Sequence, residues 1–196
     1  MSEPRLKPQL PLGGASPSVA TVAGLTIAER ADVALASIAC RRGCAADFAA
    51  AAEALFGVAL PGPGRIAAST PYAAIWTGPE QWFVEAPMAT HEDIARMLKD
   101  KLGDAASVTE LTDGWARFEV EGARLTGVFE RLCAVDLRLM QAGQARHTVI
   151  EHLGCLVMCR VALTAITVLG PRSAARSLHH AMVTAADSVG YGTAGG

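Results

Sequence analysis

The chain has 196 residues, 51% of them hydrophobic and 18% charged, and a formal net charge of −2. This length allows one large domain or two small ones with a packed core, and the composition argues against wholesale disorder. The chain has no basic block, which argues against nucleic-acid binding. The longest apolar run, residues 155–169, is interrupted by Arg160. It is also shorter than the roughly 20 residues that span a bilayer.

Residues 1–22 are rich in proline, glycine and serine, and they predict a flexible N-terminal arm. The arm is either a free tail or a segment that becomes ordered against a partner. Its first residues lack the apolar core of a secretory signal peptide. The five cysteines, an odd number, fit reduced thiols better than a disulfide framework. We therefore expect a cytoplasmic protein.

The first predicted half, residues 23–104, opens with two strands at 25–29 and 33–40. A helix follows, in which Asp47 is placed to cap free backbone amides. Gly57 is suited to the left-handed conformation that ends a helix.

A β-hairpin is predicted over residues 73–87, because two apolar runs flank the turn Thr-Gly-Pro-Glu at 77–80. Apolar residues are consecutive at 74–76 and 82–84, so we expect both faces of this part of the sheet to be covered. The chain's own helices would cover one face, and a partner protein would cover the other.

The spacing of Thr90 and Asp93 resembles a capping box, which predicts a helix that ends at Gly103. His91 falls in the first turn of this helix, where we expect it to be solvated.

The second predicted half, residues 105–190, repeats the alternation of strands and helices, and residues 191–196 form a frayed C-terminus. Its predicted elements are a hairpin over 108–122 that turns at Asp113-Gly114, a helix over 123–133, three strands within 147–170 with a turn at Gly154, and a helix from Pro171 to about Val189. The order predicts an α+β fold of two intertwined halves, each a small antiparallel or mixed sheet with helices on one face.

Four motifs occur in an order that resembles the γ subunits of heterotetrameric sarcosine oxidases. They are W-T-G-P-E-Q-W-F-V at 76–84, V-T-E-L-T-D-G-W-A-R-F-E-V-E-G-A-R at 108–124, L-C-A-V-D-L at 132–137 and P-R-S-A-A-R-S-L-H-H at 171–180. The resemblance extends over about residues 25–190. The chain departs from the family pattern at Trp115, where the family often has arginine, and at Ala134, where it has proline.

The resemblance implies the glycine-cleavage T-protein/TrmE-like folate-binding-domain fold. It also implies a non-catalytic role in a complex with α, β and δ subunits that oxidises sarcosine to glycine. The other products would be formaldehyde or methylenetetrahydrofolate, and hydrogen peroxide. FAD, FMN, NAD, tetrahydrofolate and zinc would belong to the other subunits, and neither nucleic acid nor membrane would be a partner. The alternatives are a γ-type subunit of a related N-methyl amino acid demethylase and a free-standing folate-binding module.

No residue is predicted to be catalytic, to bind a cofactor or to bind a metal. The spacing of the pairs Cys40/Cys44 and Cys155/Cys159 suits zinc, but the second pair falls on one face of a strand, where cysteine behaves as a small hydrophobe. Asp113 has the position of a turn residue, although a folate-binding carboxylate is conceivable there by analogy with T proteins.

Three tryptophans, Trp76, Trp82 and Trp115, are the candidate subunit-interface residues, because tryptophan is enriched at the energetic centres of interfaces. The alternative is that they fill the chain's own core.

Overall fold

The computed structural model describes residues 9–191, which form two antiparallel sheets and four α-helices. The strands are β1 (Val19–Val22), β2 (Leu25–Arg30), β3 (Val33–Cys40), β4 (Ile66–Ser69), β5 (Tyr72–Gly78), β6 (Gln81–Pro87), β7 (Ala106–Glu110), β8 (Trp115–Gly122), β9 (Ala145–Ile150), β10 (Leu153–Val161) and β11 (Ala165–Pro171). The helices are α1 (Ala45–Phe56), α2 (Ile94–Leu102), α3 (Leu125–Leu132) and α4 (Ala175–Tyr191).

The predicted α+β class is confirmed. One sheet has six strands in the order β1-β2-β8-β11-β10-β9, and the other has five in the order β4-β5-β6-β3-β7. Helices α3 and α4 pack on the outer face of the six-stranded sheet, and α1 and α2 pack on the outer face of the five-stranded sheet. The inner faces of the two sheets pack against each other through a third cluster, which contains residues of both.

Strand β10 shows why the longest apolar run lacks a simple alternation. Cys155, Val157 and Cys159 belong to the core beneath α3 and α4. Leu156 and Met158 point the other way and belong to the cluster between the sheets. A strand that is buried on both faces tolerates hydrophobic residues at every position, so the first part of the run is a central strand, with β11 and β9 on either side of it.

The hairpin over residues 73–87 is confirmed, since β5 and β6 pair in register from Ala73 opposite Glu85 to Trp76 opposite Trp82. The expectation that a partner covers its second face is wrong. Ile75 is fully buried against the other sheet of the same chain.

The second predicted hairpin, over residues 108–122, is wrong. Strand β7 pairs with β3 in the five-stranded sheet, whereas β8 pairs with β2 and β11 in the six-stranded sheet. The turn itself was predicted correctly, because the Gly114 N–H donates to the Leu111 carbonyl at 2.9 Å. The Thr112 hydroxyl accepts from the Leu35 N–H at 2.9 Å, so this turn carries the chain from one sheet to the other.

Both predicted N-terminal helix caps are wrong. Helix α1 begins two residues before Asp47, whose carboxylate lies in the first turn, and its N-cap is Cys44, which makes no side-chain capping bond. Helix α2 begins at Ile94, and Asp93 makes no capping bond either. Asp93 pairs instead with Arg96, because a guanidinium one turn along competes for the carboxylate. The predicted C-terminal glycines, Gly57 and Gly103, do end their helices.

His91 is buried, with 7% of its surface exposed, so the expectation of a solvated histidine is wrong. Its Nδ1 lies 2.8 Å from the Thr90 hydroxyl, and its ring packs edge-on against Tyr72 at a centroid distance of 5.1 Å. The turn after β6 folds it inward, because helix α2 begins three residues later than predicted.

The turn predicted at Gly154 lies at Glu151 and His152, which have φ values of 49° and 65°. Gly154 is inside β10 and pairs with Val149. A tight two-residue turn between twisted strands favours positive φ at both of its residues. Glu151 and His152 supply this conformation, so the turn does not need Gly154.

Strand β1 was missed, because residues 1–22 were predicted to be a flexible arm. Residues 1–8 lie outside the described residues, but Val19–Val22 pair with β2. At the other end, α4 continues to Tyr191, two residues beyond the predicted Val189, and the rest of the predicted frayed end lies outside the described residues. Within residues 9–191, none of the helices has the length and apolar character needed to cross a bilayer.

Candidate functional site

A cavity of about 340 Å³ lies where the two sheets meet the N-terminal arm, and we call it the arm cavity. Three arginines line the cavity, and its floor is apolar. Its lining includes Leu10, Arg30, Leu35, Trp115, Arg117 and Arg172. Pockets of roughly 300–1,000 Å³ with mostly apolar walls and a few polar groups are typical of small-molecule sites.

Glu29 holds the arm in this place. Its carboxylate is almost fully buried and accepts hydrogen bonds from the Leu12 N–H at 2.9 Å and from the Ser18 N–H at 3.0 Å. The Glu29 N–H also donates to the Ser18 carbonyl at 2.8 Å. Hydrogen bonds to a charged acceptor are stronger than neutral ones, so one residue of β2 fixes both ends of the segment that roofs the cavity.

Behind the cavity, three charged side chains meet between the sheets, and we call them the charged cluster: Glu85, Arg117 and Arg160. The Glu85 carboxylate accepts from Arg117 at 2.6 Å and from Arg160 at 3.1 and 2.9 Å. The Nε of Arg160 donates to the Thr167 hydroxyl at 2.9 Å. Burial alone would raise the pKa of Glu85, but the charges of Arg117 and Arg160 outweigh it and hold this pKa below its usual range.

The cluster continues towards the solvent through Glu119. One of its oxygens lies 3.7 Å from Arg117, and the other accepts from Arg30 at 2.7 Å. Arg30 also pairs with Asp32. The side chain of Arg117 is about nine-tenths buried, and its Nε has no hydrogen-bond partner among residues 9–191. An unpaired buried N–H is unusual and calls for an acceptor.

The three predicted interface tryptophans occupy different environments. Trp82 stacks on Phe48 at 5.6 Å, and its Nε1 donates to the Pro61 carbonyl at 2.8 Å. Trp115 packs edge-on against Phe83 at 5.4 Å and lines the arm cavity. Trp76 is half-buried and lies opposite Trp82, and it belongs to none of the three core clusters that the described residues form.

The cysteines are free thiols. Burial raises the pKa of Cys155 to about 11 and also raises the pKa of Cys159, so both stay protonated in the core. Over the part of the chain that is described, no group of three or more His, Cys, Asp or Glu side chains is arranged to hold a metal ion.

Asp113 lies in the turn that connects the sheets. Its side chain is 94% exposed and lies 3.3 Å from Arg172 at the edge of the cavity. Asp136 accepts from the Arg138 N–H at 3.0 Å and so caps a short 3-10 turn.

The charged cluster was not predicted, although its signal is present in the sequence. Arg160 interrupts the longest apolar run, and Glu85 stands between Val84 and Ala86 in a buried strand. A charged residue at a core position of a strand must be paired. Its partner could not be identified, because Glu85 and Arg160 are 75 residues apart.

No protein-family model and no curated protein matches the sequence. Among solved structures, the chain is similar to a heterotetrameric sarcosine oxidase from Corynebacterium sp. U-96, in complex with pyrrole 2-carboxylate. The match has a TM-score of 0.75 and 22% identity, and it covers 88% of each chain. The chain has the fold of a sarcosine oxidase chain.

It is also similar to the glycine cleavage system aminomethyltransferase T from Bartonella henselae, with a TM-score of 0.56 and 12% identity. That match covers 79% of this chain and 44% of the T protein, so the chain spans less than half of the T protein's length. The resemblance that the four motifs indicated is thus confirmed at the level of the fold.

Proposed function

We propose that this protein is the non-catalytic γ subunit of a sarcosine oxidase-type complex and supports the assembly and stability of its larger subunits. The observation that carries the proposal is the reciprocal match, in which 88% of this chain aligns with 88% of a sarcosine oxidase chain. A match of this kind is expected of a corresponding subunit. The ordered motifs over residues 76–180 support the same assignment.

In this proposal the α, β and δ subunits carry the chemistry in the cytoplasm. They hold FAD, FMN, NAD, tetrahydrofolate and zinc, and they convert sarcosine to glycine with formaldehyde or methylenetetrahydrofolate and hydrogen peroxide. The γ chain contributes buried surface and no reacting group.

Trp76 is the proposed contact with a partner subunit. Trp82 and Trp115 have aromatic partners within the chain, at 5.6 and 5.4 Å. Trp76 is half-buried and lies outside the core clusters of the described residues. A large aromatic side chain that its own fold does not enclose is the kind of residue that anchors interfaces.

Co-purification tests the assignment. A tagged chain, expressed in its native cell, is expected to recover three companion proteins, the α, β and δ subunits. The recovered material is expected to show flavin absorbance. The Trp76→Ala variant is expected to recover less flavoprotein while its unfolding midpoint stays close to that of the wild type. The control is Trp115→Phe, an internal aromatic substitution that should leave recovery unchanged. A tagged wild-type chain that recovers no flavoprotein contradicts the proposal.

The substrate is tested on the recovered complex. Sarcosine is expected to be oxidised faster than dimethylglycine, with peroxide release as the measurement. The reverse preference would favour the alternative, a γ-type subunit of a related N-methyl amino acid demethylase.

A free-standing folate-binding module is the second candidate, and the T-protein similarity favours it. Calorimetric titration of the isolated chain with tetrahydrofolate separates the two. Saturable micromolar binding supports the folate module, and its absence supports the γ subunit.

A further inference from the structure

We propose that the arm cavity binds a small monocarboxylate with an apolar, planar body. This ligand site is independent of the proposed assembly role, because it uses residues within one chain. Three observations lead to it: the volume and wall of the cavity, the excess of hydrogen-bond donors in that wall, and the way in which the arginines are already paired.

The first observation is the shape of the cavity. It has a volume of about 340 Å³ between the arm and both sheets. Leu35 and Leu169 give it an apolar floor, and the ring of Trp115 forms part of its wall. Arm residues such as Leu10 close it from above. A flat apolar group can stack on the indole and displace water from these surfaces.

The second observation is that side-chain donors predominate in the wall. Arg30, Arg117 and Arg172 all line the cavity, and a guanidinium group has donors only. Arg117 is the most buried of the three, with 10% of its side chain exposed. The acidic side chain in the wall, Asp113, is almost wholly exposed. A ligand that supplies acceptor oxygens therefore complements this wall.

The third observation limits the charge of the ligand. Arg30 and Arg117 already have carboxylate partners, at 2.7 Å from Glu119 and at 2.6 Å from Glu85. Arg172 has the weakest carboxylate partner, since Asp113 lies 3.3 Å away and is open to solvent, and its guanidinium also donates to the Gln9 carbonyl of the arm. One incoming carboxylate can replace Asp113 at Arg172. A dianion such as phosphate would leave its second charge uncompensated, which is costly in a partly buried site.

The test uses the purified full-length chain and calorimetric titration with benzoate, phenylacetate and indole-3-acetate. The controls are the three corresponding neutral amides and inorganic phosphate. We expect at least one acid to bind with a dissociation constant of about 1 mM or lower, and its amide to bind about tenfold more weakly or not at all. The indole N–H signal of Trp115 should shift during the acid titration in a ¹⁵N-labelled sample.

Two variants locate the site. Arg172→Met is expected to weaken binding of the acid about tenfold. Its matched control is Arg176→Met, the same change one helical turn further along and outside the cavity wall. Leu10→Trp fills the cavity from the arm without altering either sheet, so it should abolish binding. This variant tests the site even if Arg172→Met fails to fold.

Several outcomes overturn the proposal. They are no binding of any of the three acids up to about 10 mM, equal binding of an acid and its amide, and binding that Leu10→Trp leaves unchanged. Binding of tetrahydrofolate without binding of any acid would also overturn it and would assign the cavity to the folate-module alternative.

Discussion

The layer between the two sheets contains an apolar cluster and a charged cluster side by side, and the contrast shows how one layer can hold both. The apolar cluster consists of Leu35, Ile75, Ala145, Leu156, Met158 and Leu169. The charged cluster consists of Glu85, Arg117 and Arg160. The apolar residues need only to be covered, whereas each buried charge needs a partner at hydrogen-bond distance. The apolar cluster is therefore expected to tolerate conservative change, and the charged cluster is not.

The largest effect is expected from Glu85→Ala. It leaves two buried or half-buried guanidinium groups without their shared carboxylate, which typically costs about 3–5 kcal/mol. Urea unfolding followed by circular dichroism measures the loss.

The control replaces all three charges, as Glu85→Leu, Arg117→Leu and Arg160→Met together. Because no buried charge is then left unpaired, we expect this triple variant to be more stable than Glu85→Ala. If the triple variant is less stable than Glu85→Ala, the charged side chains stabilise the fold by more than the neutralisation of one another's charge.

A smaller loss is expected from Leu156→Ala in the apolar cluster. Leu156 is fully buried, and truncation of a buried leucine costs about 2–5 kcal/mol, depending on how far the site collapses. The same urea experiment measures it, with Leu139→Ala as the control. Leu139 is 78% exposed and should change stability by less than about 0.5 kcal/mol. Equal losses at the two leucines would mean that the sheets do not pack as described.

Trp82→Phe is expected to cost about 1 kcal/mol. The substitution keeps a ring that can stack on Phe48 and removes the Nε1–H that donates to the Pro61 carbonyl at 2.8 Å. Trp76→Phe, which removes no hydrogen bond between described residues, is the matched control. A larger loss at Trp76 would contradict the view that Trp82 is the residue enclosed by the chain's own core.

The mildest effect is expected from moderate acid. The pKa of Glu85 is lower in the folded protein than in the unfolded chain, so its contribution to stability is complete above the unfolded value, which is about 4.3. That contribution is lost as the pH falls towards the folded value, because the unfolded state then binds the proton more readily. Unfolding curves between pH 7 and pH 3 should show a steeper loss for the wild type than for the triple variant. Parallel curves for the two proteins would show that Glu85 is not responsible for the loss of stability in acid.

The elements that follow from neighbouring residues were predicted well. The hairpin of β5 and β6 is encoded by two apolar runs and the Gly78-Pro79 turn between them. Helix α2 lies close to its predicted range, because Ile94, Leu98 and Leu102 recur at helical spacing and are buried. The predicted helix caps failed, because a side chain such as Asp93 has a competing partner, Arg96, that spacing alone does not reveal.

The candidate site was not predictable in the same way. The arm cavity requires Glu29 to hold residues 12 and 18, and it requires Trp115, at the start of β8, to meet Arg172, just after β11. Each residue is unremarkable in its own segment. Their chemistry appears only when the arm and β2 are brought together with Trp115 and Arg172, which lie more than fifty residues further along the chain.

By itself, the sequence determined the α+β class, the positions of most helices and strands, and the resemblance to sarcosine oxidase chains. Only the tertiary structure decided that β7 and β8 join different sheets, that the arm packs against Glu29, and that Glu85 pairs with two arginines. The physical reason is how far apart in sequence the interacting residues lie. Turns and periodicities depend on residues a few positions apart, whereas strand pairing and the neutralisation of buried charge depend on which distant surfaces must cover each other.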